Sequence, residues 1–272
     1  MTDSTTRLVA IIGHPITQVK SAENFNRYFA QTGENRTMIP MDISPGYLGD
    51  FISLMRGWHN MDGFVVTIPH KAAVATRIDA LTARAQFLRA VNVVRRDASG
   101  KLFGDMVDGD GFIYALARHG FSPAGKAALV IGAGAAGSAI AQTLAQAGIT
   151  SLTLADIVED RAKDLSERLA VAFSHVHFCT TAREGQTFDL VINASSIGMR
   201  QEDPIPVSGD VINHMPADGL AADVITSPTV TPFLKRAAAR GLKIQTGAEM
   251  AAAQLPVLGR FMGVIKEEGP HA

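Results

Sequence analysis

Ala128-Leu129-Val130-Ile131-Gly132-Ala133-Gly134-Ala135-Ala136-Gly137 is the stretch on which the fold turns. A short apolar run enters three glycines spaced G-x-G-x-x-G, and an Ala-rich segment, 135–147, follows. A buried strand, a tight turn and a helix start account for that order. The first glycine permits the turn. The second lets backbone N–H groups reach a pyrophosphate at the helix N-terminus, and the third lets helix and strand pack closely. Gly132, Ala133, Gly134, Ala135, Ala136 and Gly137 are therefore expected to hold a dinucleotide. An Ala/Gly-rich helix start without a ligand is the plainer explanation, and the strand–loop–helix–strand order weighs against it.

The next apolar run ends at Asp156, 24 residues after Gly132. That is close to the separation of about 20 at which an acidic side chain takes the adenosine ribose hydroxyls. Glu159 and Asp160 add two more acids before the first base, Arg161. A 2′-phosphate would meet negative charge here, so NAD is the expected cofactor, with NADP possible but disfavoured. A helix-capping role for Asp156 is the competing explanation.

Strand and helix patterns alternate outward from this unit. Downstream, strands are expected at 152–155, 190–193, 219–224 and 243–245, with helices at 161–170, 232–240 and 248–262. Upstream, strands at 8–12, 36–39 and 63–68 alternate with helices at 22–32, 46–56 and 72–88. A hairpin follows, 91–95 with 101–104 around Ser99-Gly100, and then a helix at 111–119. Such alternation implies an α/β protein with parallel sheets and helical crossovers.

The 272 residues suit about two domains. Lys+Arg 25 against Asp+Glu 26 leaves a net charge of −1, without the field expected of a nucleic-acid binder or polybasic membrane protein. A hydrophobic content of 47% with 19% charged residues excludes disorder. Cys179 is the single cysteine, so no internal disulfide forms and a reducing, cytoplasmic setting is expected. The N-terminus has no signal-peptide pattern and no run is long enough to cross a membrane. His175 and His177 lack a third ligand at recognisable spacing, and no metal is expected.

Several separated motifs carry chemistry. They are Pro15-Ile16 with Lys20-Ser21; Gly63-Phe-Val-Val-Thr-Ile-Pro-His-Lys71; Ala90-Val91-Asn92; Gly104-Asp105-Met106-Val107-Asp108-Gly109; Asn193-Ala-Ser-Ser-Ile-Gly-Met199; and Thr231-Pro232-Phe233-Leu234. In this order and spacing, over nearly the whole chain, they resemble the shikimate dehydrogenase family. The resemblance implies two lobes: an N-terminal α/β substrate domain, 1–108 completed by 248–272, and a C-terminal Rossmann dinucleotide-binding domain, 109–247. It implies Lys71 and Asp108 as the catalytic pair, with the lysine accepting or relaying the proton of the hydroxyl being oxidised. Ser21, Thr67, Asn92 and Gln254 become substrate contacts, while Asn193, Ser195, Met199 and Gly247 join the cofactor site. Taken singly, Lys71 reads as a surface lysine and Asp108 before Gly109 as a turn residue; together with Asn92 and the glycine loop they read as a site.

The chain departs from the family pattern at four places, one of them two residues long. Val19 stands in place of a serine, Val65 in place of an asparagine, Met106-Val107 in place of Asn-Thr, and Thr226 in place of a tyrosine. Each loses or shortens a polar group, so shikimate in its usual pose is expected to bind poorly. The expected activity is reversible hydride transfer between NAD(P) and a ring hydroxyl of shikimate, quinate or a related cyclic hydroxy acid, by a monomer or homodimer. A non-catalytic NAD-responsive regulator on the same fold is the alternative; retention of Lys71, Asp108 and Asn92 weighs against it.

Overall fold

The computed structural model describes residues 2–17, 19–182, 185–200 and 202–266. The chain divides into two compact units: Met1–Val107 with Ala252–Ala272, and Asp108–Ala251.

The first unit begins with β1 (Arg7–Gly13), α1 (Ser21–Thr32), β2 (Arg36–Asp42), α2 (Leu48–Gly57) and β3 (Met61–Val66). It continues with α3 (Lys71–Ala75), β4 (Ala80–Leu81), α4 (Ala83–Leu88), β5 (Val93–Arg96) and β6 (Leu102–Asp105). Its six strands lie in the order β2-β1-β3-β5-β6-β4. β1 pairs in parallel with both β2 and β3, and the expected hairpin makes β5 antiparallel to β3 and to β6. One core cluster joins Val9, Ile11 and Val65 of the sheet to Phe25 and Phe29 of α1.

The single helix expected over 72–88 is broken into α3, β4 and α4. Its middle pairs with β6 instead: Asp79 N donates to Leu102 O at 3.0 Å, and the Asp79 carboxylate accepts from Leu102 N at 2.8 Å. Thr82 then restarts the helix as an N-cap, its hydroxyl accepting from Ala85 N at 3.2 Å. Edge pairing outweighs helix propensity here, as tertiary context often does.

The second unit holds α5 (Asp108–Arg118), β7 (Ala127–Ile131), α6 (Ala135–Gln146), β8 (Ser151–Ala155), α7 (Glu159–Ala172) and β9 (His177–Cys179). After these come β10 (Leu190–Asn193), α8 (Gly209–Asn213), β11 (Leu220–Asp223), α9 (Pro232–Ala239) and β12 (Lys243–Gln245); α10 (Gly247–Met262) starts in this unit, and its residues from Ala252 onward belong to the first. All six strands are parallel, in the order β12-β11-β10-β7-β8-β9. β9 and α8 fall outside the expected pattern: β9 is only three residues long, on an edge, and α8 is five. Asp108, read singly as a turn residue, opens α5 three residues before the helix expected at 111.

The chain runs from β7 to β8 on one side and returns to β10 on the other. The carboxyl ends of β7 and β10 therefore form the switch point at which open α/β sheets take ligands.

Candidate active site

Register places Ile131, Asn193 and Asp223 side by side at the carboxyl ends of β7, β10 and β11. The loops that follow meet there. Gly132 has φ +102°, and a Cβ on it would stand 2.7 Å from Ala194 O, so no other residue turns the chain here without strain. A Cβ on Gly137 would stand 1.8 Å from Gly132 O; the helix start touches the turn at bare-backbone distance. Gly134 is exposed and caps the 12-residue α6 in an extended conformation, with no side-chain cap. The Gly132–Gly137 turn is thus a backbone cradle with no room for a Cβ at Gly132 or Gly137, the close strand–turn–helix packing that a dinucleotide-binding turn uses.

Asp156 follows β8 and pins that cradle. Its carboxylate accepts from Ala133 N at 2.7 Å through Oδ2 and from Val158 N at 2.9 Å through Oδ1. Each oxygen keeps a second lone pair for a ribose hydroxyl. Ile157 beside it is 91% exposed, an apolar surface next to the acid.

The loop after β10 is organised by Asn193, which is fully buried. Asn193 Nδ2 donates to Ile197 O at 2.8 Å, while Asn193 Oδ1 accepts from Ser195 Oγ at 2.7 Å. Met199 lies at the end of this turn, its N–H donating to Ser196 O at 3.2 Å. Asp203, which sequence reasoning missed, accepts from Gly198 N at 2.9 Å and Arg200 N at 3.0 Å. Those backbone donors, Arg200 N first, hold its pKa below the ordinary carboxylate value. Asp223 was also missed; burial pushes its pKa up to about 6 against the pull of its hydrogen bonds. Gly247 opens α10 against the Val224 and Ile225 carbonyls. The capping pair beside it has Thr246 N donating to Glu249 Oε2 at 2.7 Å and Glu249 N donating to Thr246 Oγ1 at 3.2 Å.

In the first unit, β1 and β3 end side by side, and Thr67, just beyond β3, has its methyl over Gly13. His70, almost fully buried, hydrogen-bonds Ile43 O through Nε2 at 2.6 Å, fixing the start of α3 where Lys71 stands. Lys71 O accepts from Val91 N at 3.0 Å, which brings the lysine beside the Asn92 segment. Asn92 is buried; its N–H donates to Asp105 O at 2.9 Å, its carbonyl accepts from Val66 N at 2.7 Å, and its Oδ1 accepts from Val107 N at 2.8 Å. Lys71, Thr67 and Asn92 are thus tied to one corner of the sheet. Asp108 is the residue after Val107, buried at the start of α5. Ser21 opens α1, and Gln254 lies on α10, both partly exposed.

Asp105 steadies this corner. It accepts from Arg84 Nε at 3.0 Å, Arg84 Nη2 at 2.6 Å and Thr82 Oγ1 at 2.5 Å. Burial pushes its pKa up, and the Arg84 and Thr82 hydrogen bonds with the Arg84 charge outweigh that and leave it lowered. The sequence sets Asp105 in a motif but gives no sign of its partner Arg84, because their pairing depends on α4 folding back beside β6. Val65 and Val107 are buried in the same apolar cluster as Leu258 and Met262, and Val19 packs against it. His175 and His177 are exposed, and no group of three or more His, Cys, Asp or Glu suited to a metal occurs among the described residues. No helix among the described residues is long and apolar enough to cross a membrane.

Two family descriptions match the chain: "Shikimate dehydrogenase substrate binding domain" over residues 11–94 and "Shikimate / quinate 5-dehydrogenase" over 115–205. A shikimate dehydrogenase (NADP(+)) of Rubrobacter xylanophilus is 35% identical over 242 residues, covering 88% of this chain and 84% of the relative. The shikimate 5-dehydrogenase of Thermus thermophilus, solved with NADP(H) and shikimate, is 28% identical with a TM-score of 0.83, covering 96% of this chain and 95% of that one. The 5-ketofructose reductase of a Gluconobacter species is 27% identical with a TM-score of 0.83, covering 94% and 92%.

Proposed function

The chain belongs to the shikimate dehydrogenase family, and from that membership we propose an oxidoreductase that moves hydride reversibly between NAD(P) and a ring hydroxyl of shikimate, quinate or a related cyclic hydroxy acid. One observation carries the reading: the Gly132 turn and the Asn193 loop converge at the carboxyl ends of β7 and β10 in a cradle with no room for a Cβ at Gly132 or Gly137. The dehydrogenase names of the relatives support the enzyme over the non-catalytic regulator.

When bound, the nicotinamide supplies the chemistry of accepting or returning the hydride. The chain's own residues manage the proton and the pose. Lys71 Nζ takes the hydroxyl proton as the carbon loses its hydride, and returns it in the reverse direction. Asp108 is its acidic partner. Asn92 holds its Oδ1 on Val107 N, which fixes its amide beside the site where a ring hydroxyl would bind. Ser21, Thr67 and Gln254 complete the substrate contacts. Gly132 to Gly137, Asp156, Asn193, Ser195, Met199 and Gly247 make up the cofactor site, in which Asn193 works through the loop wound on it.

NAD is the preferred cofactor in this reading. Asp156 stands where the ribose diol would be held, with Glu159 and Asp160 in the first turn of α7, and no base offsets them before Arg161. The relatives named for NADP(+) set the contrast against which that preference is measured. The substrate carries fewer or differently placed polar groups than shikimate in this reading, because Val65 and Met106-Val107 stand where the family has polar residues. An unmet polar group costs about 1–3 kcal/mol, so two such losses weaken shikimate binding by roughly 30- to 25,000-fold. The lone Cys179 agrees with work in a reducing cytoplasm, as a monomer or homodimer.

The test is a panel of cyclic hydroxy acids with NAD and with NADP, read as absorbance of the reduced dinucleotide. Turnover of at least one is expected. A kcat/KM for shikimate with NAD equal to that of a dedicated biosynthetic enzyme would refute the altered substrate, and no turnover across the panel alongside tight NAD binding would return the regulator.

A further inference from the structure

Asp223 ends β11 with no accessible surface. Uncharged donors reach it, among them Asn193 Nδ2 at 3.1 Å and Thr231 Oγ1 at 2.8 Å on Oδ2 and Ile225 N at 2.9 Å on Oδ1. An ionised carboxylate only accepts, so it requires a donor from whichever end of the Asn193 amide faces it. That requirement acts together with the Ile197 carbonyl, which only accepts, and the Ser195 N–H, which only donates: Nδ2 faces Asp223 and Ile197 O, and Oδ1 accepts from Ser195 N at 3.2 Å and Ser195 Oγ at 2.7 Å. Ser195 Oγ then accepts from Ile197 N at 3.1 Å. The hydrogen-bonding capacity of the amide is filled, and the turn is wound on it. An inverted amide would set oxygen against the Asp223 carboxylate and N–H against Ser195 N–H. Thr231 extends the network to α9, whose Leu234 N donates to Thr231 Oγ1 at 3.3 Å.

We propose that Asp223 is a positioning residue for the dehydrogenase reaction: by fixing which way the Asn193 amide faces, it sets the Ser195–Met199 loop in the form that receives the nicotinamide end of the cofactor. The proposal rests on the reading of that loop as a cofactor contact. Asp223 itself touches neither substrate nor reacting atoms; it acts through Asn193.

The experiment compares Asp223→Asn, Asn193→Ala, their double variant and Thr231→Val by fluorescence titration with NADH, by steady-state kinetics on the best hydroxy acid of the panel, and by thermal melting. Asparagine has one acceptor oxygen in place of two, so Asp223→Asn cannot serve both Asn193 and Ile225 N. Its NADH Kd and dinucleotide KM are expected to rise about tenfold, the size of one lost hydrogen bond to a charged group. The KM for the hydroxy acid stays within about threefold. The double variant binds no worse than Asn193→Ala alone, because both changes act on one element. Thr231→Val removes one donor to Asp223 and leaves the Asn193 contact in place, so its NADH Kd rises less than that of Asp223→Asn. Should Asp223→Asn not fold, Asn193→Asp reads the same orientation from the other side, and an unchanged NADH Kd there overturns the proposal. A lowered melting temperature for Asp223→Asn with NADH binding and kinetics unchanged also overturns it, as does additivity in the double variant. Weakened NADH binding in Asn193→Ala with none in Asp223→Asn overturns the proposal while sparing the loop reading; unchanged binding in both ends the loop reading as well.

Discussion

Replacing Asp156 by asparagine is expected to lower the preference for NAD over NADP by roughly 70-fold. The substitution keeps the shape and removes one charge. Two unit charges 4 Å apart interact by about 1 kcal/mol in bulk water and about 4 kcal/mol at the effective dielectric of a protein surface. Asp156 is partly exposed, so relief of its repulsion on a 2′-phosphate falls between those limits. On the NAD side, the ribose diol loses a charged acceptor, about 1.5–3 kcal/mol. The lower ends of both ranges add to about 2.5 kcal/mol, which is the 70-fold quoted. One further cost falls on the loop. The carboxylate serves Ala133 N and Val158 N with separate oxygens, and asparagine retains only one of them, so both dinucleotides weaken somewhat together. The assay is kcat/KM for each dinucleotide at fixed hydroxy acid, at low and high salt, since screening shrinks a charge effect and leaves a shape effect alone. A wild type that uses NADP as well as NAD, or a variant whose ratio stays within about threefold of wild type, would refute the reasoning.

Gly137→Ala puts a methyl 1.8 Å from Gly132 O, so backbone must move; a loss of about 1–3 kcal/mol in urea unfolding is expected together with lost NADH binding. Gly134→Ala meets nothing within 4 Å, and stability should hold to within about 1 kcal/mol while NADH binding weakens. Lys71→Ala should lower kcat by orders of magnitude with the NADH Kd unchanged; a kcat within about tenfold of wild type would remove Lys71 from the proton path. Asp223 carries a folded-state pKa raised from 3.8 to about 6. A raised value contributes stability that is full below the unfolded value and is lost as pH rises through the folded one. Wild type should therefore gain about 1 kcal/mol on going from pH 7 to pH 5 relative to Asp223→Asn, measured by urea unfolding at both pH values.

The sequence by itself determined the α/β class, the glycine cradle and Asp156, because those signals are local: an apolar run, a turn that only glycine makes and an acid at the end of the next strand. The motifs around Lys71, Asn92 and Asp108 drew attention only through the resemblance to a family, because singly Lys71 reads as a surface lysine and Asp108 as a turn residue. Tertiary structure alone decided the rest. The helix expected over 72–88 breaks because Asp79 bonds to Leu102, a partner 23 residues away. Arg84 finds Asp105 only once that break has formed α4. Asp223 gains its meaning from register, since β10 and β11 bring it level with Asn193 across 30 residues of chain. Hydrogen bonds and burial of this kind depend on which strands become neighbours, and strand order is fixed by the packing of the whole sheet, which periodicity along the chain does not encode.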